Sequence, residues 1–131
     1  MLIAALVVAG LAALLHIVFF VLESVLWRRP TVFGRFGIAT QAEADTIRPM
    51  AYNQGFYNLA LAIGVIVGIV LLGGADGAFV AGKTLVIFGT ACMAVAGIVL
   101  STTGRAYFRP ALIQFVPAVV ALIVTAMAPA S

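Results

Sequence analysis

The sequence predicts an all-α integral membrane protein: a four-transmembrane-helix bundle with a short amphipathic helix in its first cytoplasmic loop. Three observations lead there. The chain of 131 residues is 65% hydrophobic and only 8% charged, whereas a soluble domain carries about 25% charged residues. Four apolar stretches each reach the roughly 20 helical residues that cross a bilayer core. Alternating strand patterns are absent, and in lipid that leaves helices as the way to satisfy every backbone N–H and C=O. This composition excludes a soluble globular enzyme, a disordered tail and a nucleic-acid module, so nucleic acid is not an expected partner and the lipid bilayer is.

The expected spans run from about Leu2 to Trp27, Ala51 to Leu72, Ala78 to Ser101 and Tyr107 to Ala128, within one membrane domain covering residues 1–131. The first does not read as a cleaved signal peptide, because it has no basic start, is too long, and is followed directly by Arg28 and Arg29. Basic residues set the orientation. Arg28, Arg29, Arg35 and Arg48 follow the first span, and Arg105 and Arg109 follow the third. Around the second loop only Lys83 is basic. The positive-inside rule then places both arginine-bearing loops in the cytoplasm and both termini outside, in a multi-pass protein of the plasma (inner) membrane.

The first loop divides in two. Pro30, Gly34 and Gly37 make its first half irregular, and Val32, Phe33, Phe36 and Ile38 make it apolar, as an interfacial anchor or as a lid over the bundle's mouth. Thr40 followed by Glu43 fits a capping box opening a short surface helix from about Gln41 to Ile47. Cys92, the single cysteine, has no disulfide partner within the chain and reads as a small buried hydrophobe.

Ionisable groups inside a span are costly and face the bundle interior or a cavity. His16 and Glu23 are seven residues apart in the first span, which puts them on one helix face about 10 Å apart along the axis. Ala5, Ala9 and Ala12 or Ala13 continue that face, and small residues at this spacing mark helix–helix contact. The second span opens with two adjacent polar rows, Asn53 with Tyr57 and Gln54 with Asn58, and the Tyr57 row continues as Ala60, Gly64 and Gly68. Gln114 enters on the fourth span, where Pro117 frees the carbonyl of Ile113. His16, Glu23, Asn53, Gln54, Asn58 and Gln114 thus converge in the cytoplasmic half, while the outer half holds only Lys83 and a few threonines.

Packing alone needs one or two such polar clips, so the cluster reads as a site for a small lipophilic molecule. Glu23 is the expected acid or base and His16 its partner. Asn53, Gln54, Tyr57, Asn58 and Gln114 would orient a polar group. An isomerase-like proton shift suits acid–base groups without a nucleophile. A single histidine excludes a multi-histidine metal site. Haem on His16 stays open as the one cofactor. Three alternatives accompany this reading: a proton-coupled transporter working through Glu23, a haem-binding isomerase, and a structural partner subunit, since the Ala60, Gly64, Gly68 stripe fits a second copy of the chain as well as its own helices. For Glu23, an ion pair with Arg48 or Arg105 is the competing role.

The run Asn53-Gln54-Gly55-Phe56-Tyr57-Asn58 resembles the Asn-Gln-Gly-x-Tyr-Asn signature of small bacterial membrane proteins grouped as domain of unknown function 1304. His16, Glu23 and Trp27 resemble that family's start, Phe33 and Gly37 its first loop, and Gln114 and Pro117 its last span. The resemblance covers nearly the whole chain and implies a four-span fold, with no activity attached. Residues Thr102 to Pro110 are more basic than that pattern. Four-span sterol isomerases, styrene-oxide isomerases and small multidrug transporters share the architecture, but none of their motifs is matched residue by residue.

Overall fold

The computed structural model describes residues 1–129, so the last two residues of the expected domain lie outside the described residues. Five α-helices follow in order: α1 (Leu2–Phe20), α2 (Pro30–Phe33), α3 (Gln41–Leu72), α4 (Asp76–Thr102) and α5 (Phe108–Ala126). A wide π-helical turn, Val21–Val25, extends α1. Four of these helices are long and apolar enough to cross a membrane, so the protein is an all-helical, multi-pass membrane protein. They form a four-cornered bundle in which α1 packs on α3 and α5, and α4 packs on α3 and α5.

Lipid tails are as apolar as leucine, so side-chain burial between spans gains little and close backbone approach matters more. The buried stripes are accordingly made of small residues. Ala5, Ala9, Ala12 and Ala13 of α1 are at most 1% exposed, and Ala62, Ala118 and Ala121 are fully buried. At the end of the bundle away from the basic loops, α3 and α4 meet through glycines. A Cβ on Gly82 would lie 2.6 Å from the Leu72 amide nitrogen, and one on Gly68 would lie 2.8 Å from Val86 and 3.0 Å from the Gly82 carbonyl oxygen. Gly97 does the same for α4 against α5, where a Cβ would come within 2.9 Å of Phe115. The packed stripe of α3 is Ala51, Gly55, Asn58, Ala62, Val65 and Gly68. The expected stripe through Tyr57, Ala60 and Gly64 is therefore corrected: Ala60 is exposed and Gly64 has open space beside it. Only Gly68 of that set makes a close contact.

The first loop also departs from expectation. Its first half is not irregular but helical, as α2 and a 3₁₀ turn over Gly34–Phe36. Pro30 supplies a preset φ at the first helical position, and Gly37, at φ 76°, ends the turn in the left-handed region open to glycine. The expected surface helix from Gln41 to Ile47 is not separate, because it forms the first turns of α3 and continues through Pro49. Thr40 caps it as expected, its Oγ1 accepting from the Glu43 amide at 3.2 Å, while Glu43 Oε2 accepts from Ala39 rather than Thr40. Proline removes one helical hydrogen bond. The carbonyl it frees is that of Asp45, and one residue earlier Trp27 ties the first loop to α3, its Nε1 donating to the Ala44 carbonyl at 2.9 Å. Trp27, Phe33, Ala44 and Ala51 bury one another in a second, smaller core that caps the basic-loop end.

The glycine seam makes a test. Gly82→Ala pushes a methyl into backbone that cannot yield and should cost about 1–3 kcal/mol. Gly64→Ala, with nothing nearby, should be neutral or stabilising by up to about 1 kcal/mol through helix propensity. Reversible unfolding in bicelles compares the two, and equal stabilities would refute the seam.

Candidate functional site

The π turn is where the site begins. The Leu26 amide donates to Val21 O at 2.9 Å, five residues back, which widens the last turn of the first span. Such turns concentrate at functional positions because they redirect side chains from the α-helical register. Glu23 sits inside this one. Next to it, Ser24 Oγ donates to the Tyr52 carbonyl at 2.9 Å, crossing to α3. Gly55 permits the approach, since a Cβ there would overlap Ser24 Oγ. This close crossing brings Asn58 Nδ2 to within 2.7 Å of Glu23 Oε2, to which it donates. The partner of Glu23 is thus Asn58, and not Arg48 or Arg105.

A second polar pair joins α1 to α5. His16 is 1% exposed, and its Nδ1 lies 2.9 Å from the Ala12 carbonyl oxygen. A carbonyl only accepts, so Nδ1 carries the proton, and Nε2 accepts from Gln114 Nε2 at 3.3 Å. Both ring nitrogens are then engaged. A haem ligated by His16 does not fit this arrangement, because Nε2 faces Gln114 and His16 does not line the cavity described next.

Between these pairs and α4 lies a cavity of about 840 Å³, near the upper end of the roughly 300–1,000 Å³ typical of small-molecule sites. Its polar wall is Glu23, Gln54, Asn58 and Gln114, and its apolar wall is mostly one face of α4, including Phe88, Cys92, Val95 and Val99. Arg35 and Phe36 of the first loop reach its basic-loop end. They are fixed there by Tyr107, whose hydroxyl donates to the Phe36 carbonyl at 2.9 Å. A Cβ on Gly37 would sit 3.3 Å from that hydroxyl, so the loop lies tight against it. Trp27 and Phe36 pack with ring centroids 5.3 Å apart, tying the cover to the small core beneath. The first half of the loop thus covers the basic-loop end of the cavity through Arg35 and Phe36.

Four of the seven expected site residues therefore share the cavity: Glu23, Gln54, Asn58 and Gln114. His16 stands behind Gln114 and not in the cavity. Its predicted shared face with Glu23 ends at the π turn, and the two residues bond to different helices, α5 and α3. Asn53 and Tyr57 point away, both exposed, Tyr57 at 62%. Of the two adjacent polar rows on α3, only one can face the bundle, and Gly55 against Ser24 selects the row of Asn58. Arg35, Cys92, Thr103 and Tyr107 line the cavity without having been expected there, and Phe36 was expected near it only as one of the two readings of the first loop. The tyrosine beside a loop glycine was the available signal; the α4 residues gave none, being apolar like every lipid-facing position.

A model of the family described as "Protein of unknown function (DUF1304)" matches residues 10–126. Comparison with curated proteins and with solved structures gave no match.

Gln114→Leu should leave the buried Nε2 of His16 without a donor and cost about 1–3 kcal/mol. His16→Leu should strand the Gln114 amide similarly. The double variant should cost clearly less than the sum, a coupling of about 0.5–3 kcal/mol by double-mutant cycle. Strict additivity would show that the pair does not interact.

Proposed function

The chain belongs to the DUF1304 family, whose description assigns no activity, and we propose that it binds a small lipophilic molecule in this cavity and converts it by acid–base chemistry. The observation that carries the reading is a single carboxyl, Glu23, bonded to Asn58 on the wall of a largely apolar 840 Å³ cavity inside a membrane bundle. Glu23 takes a proton from one atom of the ligand and returns it to another. Such a shift balances without a redox partner or nucleophile. Asn58 positions the carboxyl, Gln54 and Gln114 bind the ligand's polar group, and His16 acts through Gln114 as a positioning residue. In the opposite half, Val65, Val86, Ala118 and Ala121 are fully buried, which favours a pocket closed at that end over a transport path.

The six loop arginines lie at the cavity's end of the bundle, which supports a cavity facing the cytoplasm of a bacterial cell with both termini outside. At the other end Lys83 donates to the Ala128 carbonyl at 2.7 Å, so the one basic side chain there caps the last span. Reporter fusions in the Arg35 loop and after residue 129 should report opposite sides. A cytoplasmic C-terminus would overturn this orientation.

Organic extraction of the protein purified in mild detergent, followed by mass spectrometry, tests the function. A lipophilic compound should co-purify with the wild type and be lost from Ala96→Trp, since Ala96 lines the cavity on α4 and the indole would fill it. Glu23→Gln keeps the shape and one acceptor oxygen, so it should retain the unconverted compound while turnover falls about 10²–10⁴-fold. Identical extracts from wild type and Ala96→Trp would refute the pocket.

A further inference from the structure

The bundle has four seams, and three are closed by a contact toward the basic-loop end. Ser24 and Glu23 lock α1 to α3, His16 and Gln114 lock α1 to α5, and Gly97 against Phe115 brings α4 onto α5. The fourth seam, between α3 and α4, is tight at Gly68 and Gly82 in the other half and at Gly89 in the middle of α4. Toward the basic-loop end its place is taken by the cavity, with Gln54 on one side and the α4 face on the other. The end itself is covered by Arg35 and Phe36 under the Tyr107 hydrogen bond.

Exposure shows where the cavity is open. Phe88, Val95 and Val99 line it and yet are 66%, 58% and 56% exposed. Gln54 of α3 is likewise both lining and exposed, and α5 adds only Ile113. Phe88 lies 12 residues after Asp76 and 14 before Thr102, about 18–21 Å from either end of the helix. A side chain exposed at that depth faces hydrocarbon, not water.

We propose that the cavity opens sideways into the bilayer between α3 and α4 and takes a single-chain amphiphile with a neutral hydroxyl head, for which a long-chain alcohol is the simplest probe. This rests on the pocket reading above and adds the route and the ligand class. The chemistry of the wall selects the head. Its charged groups are one acid and one cation, Glu23 and Arg35, so no net charge is demanded of the ligand. Gln54, Asn58 and Gln114 are amides that both donate and accept, matching a hydroxyl better than an acceptor-only carboxylate or a donor-only ammonium. The polar groups lie toward the basic-loop end and the apolar α4 face runs inward to Phe88. The head therefore sits near the lid and the chain points to the bilayer centre, as it already does in the membrane leaflet.

The test uses the whole protein in phosphatidylcholine vesicles containing a diazirine-bearing long-chain alcohol. A second sample receives the same photoreactive group on a membrane-impermeant charged carrier. After irradiation, mass spectrometry locates the adducts. The bilayer probe should label Phe88, Cys92, Val95 or Val99 saturably, reduced about tenfold by excess 1-hexadecanol and far less by hexadecane, hexadecylamine or palmitate. Val95→Trp should abolish saturable labelling. Val80→Trp, exposed on the same helix but outside the cavity, should not. Labelling of those residues by the aqueous probe would overturn the sideways route while leaving the pocket standing. Unsaturable labelling that alcohol and alkane reduce equally would overturn the ligand class, and the pocket would then be judged by whether Ala96→Trp loses its co-purifying compound. Cross-links joining two copies through α4, with its cavity face unlabelled, would show that a second chain covers the seam and would overturn the proposal.

Discussion

Helices in lipid have no solvent to escape, and this constraint organises the molecule. Apolar burial between spans gains little over contact with lipid tails, so association depends on how closely backbones approach and on polar groups that have no water to turn to. The chain answers in two ways at its two ends. Away from the basic loops, glycines on α3 and α4 let main chain meet main chain, with Gly82 pressed on Leu72 and Gly68. Toward the basic loops, α1 is clipped to α3 by Glu23 and Asn58, and to α5 by His16 and Gln114. Toward the basic loops α3 and α4 have no such glycine contact between them, and the cavity lies there.

The polar pairs therefore serve structure and site together. Asn58 donates an N–H to the half-buried Glu23 and Gln114 donates one to the buried His16, and both amides line the cavity. Replacing either by leucine would disturb the fold through the partner it abandons, and the site through the oxygen it loses. The π turn belongs to the same arrangement. It widens the end of the first span where Ser24 crosses onto Gly55, and it moves Glu23 off the face of His16 and onto the side of Asn58.

The loop over the cavity is built with similar economy. Trp27, Phe33, Ala44 and Ala51 form a small core outside the bundle proper. Trp27 bonds the Ala44 carbonyl in the first turn of α3, while Tyr107, from the far side of the sequence, holds Phe36. The end facing water is thus covered by a fixed segment. On the side between α3 and α4, Phe88, Val95 and Val99 line the cavity and stay exposed.

Much of this was legible in the amino-acid sequence. Hydropathy is a property of each residue's transfer into lipid, so the four spans, the loops and their basic bias follow from local composition. The cost of burying His16, Glu23, Asn58 and Gln114 likewise marks them as interior whatever they touch. Thr40 announces the start of α3 by side-chain chemistry acting within one turn. What only the tertiary structure decided is which neighbour each polar group meets and which row faces inward. In a soluble helix the contrast of polar and apolar faces would show this. In a span, lipid-facing and core-facing positions are both apolar, so the α4 wall of the cavity was invisible and the row of Tyr57 passed for the packed one. The choice rests on single contacts between residues distant in sequence, such as Gly55 against Ser24. No periodicity encodes them, because each exists only once two helices have been brought together.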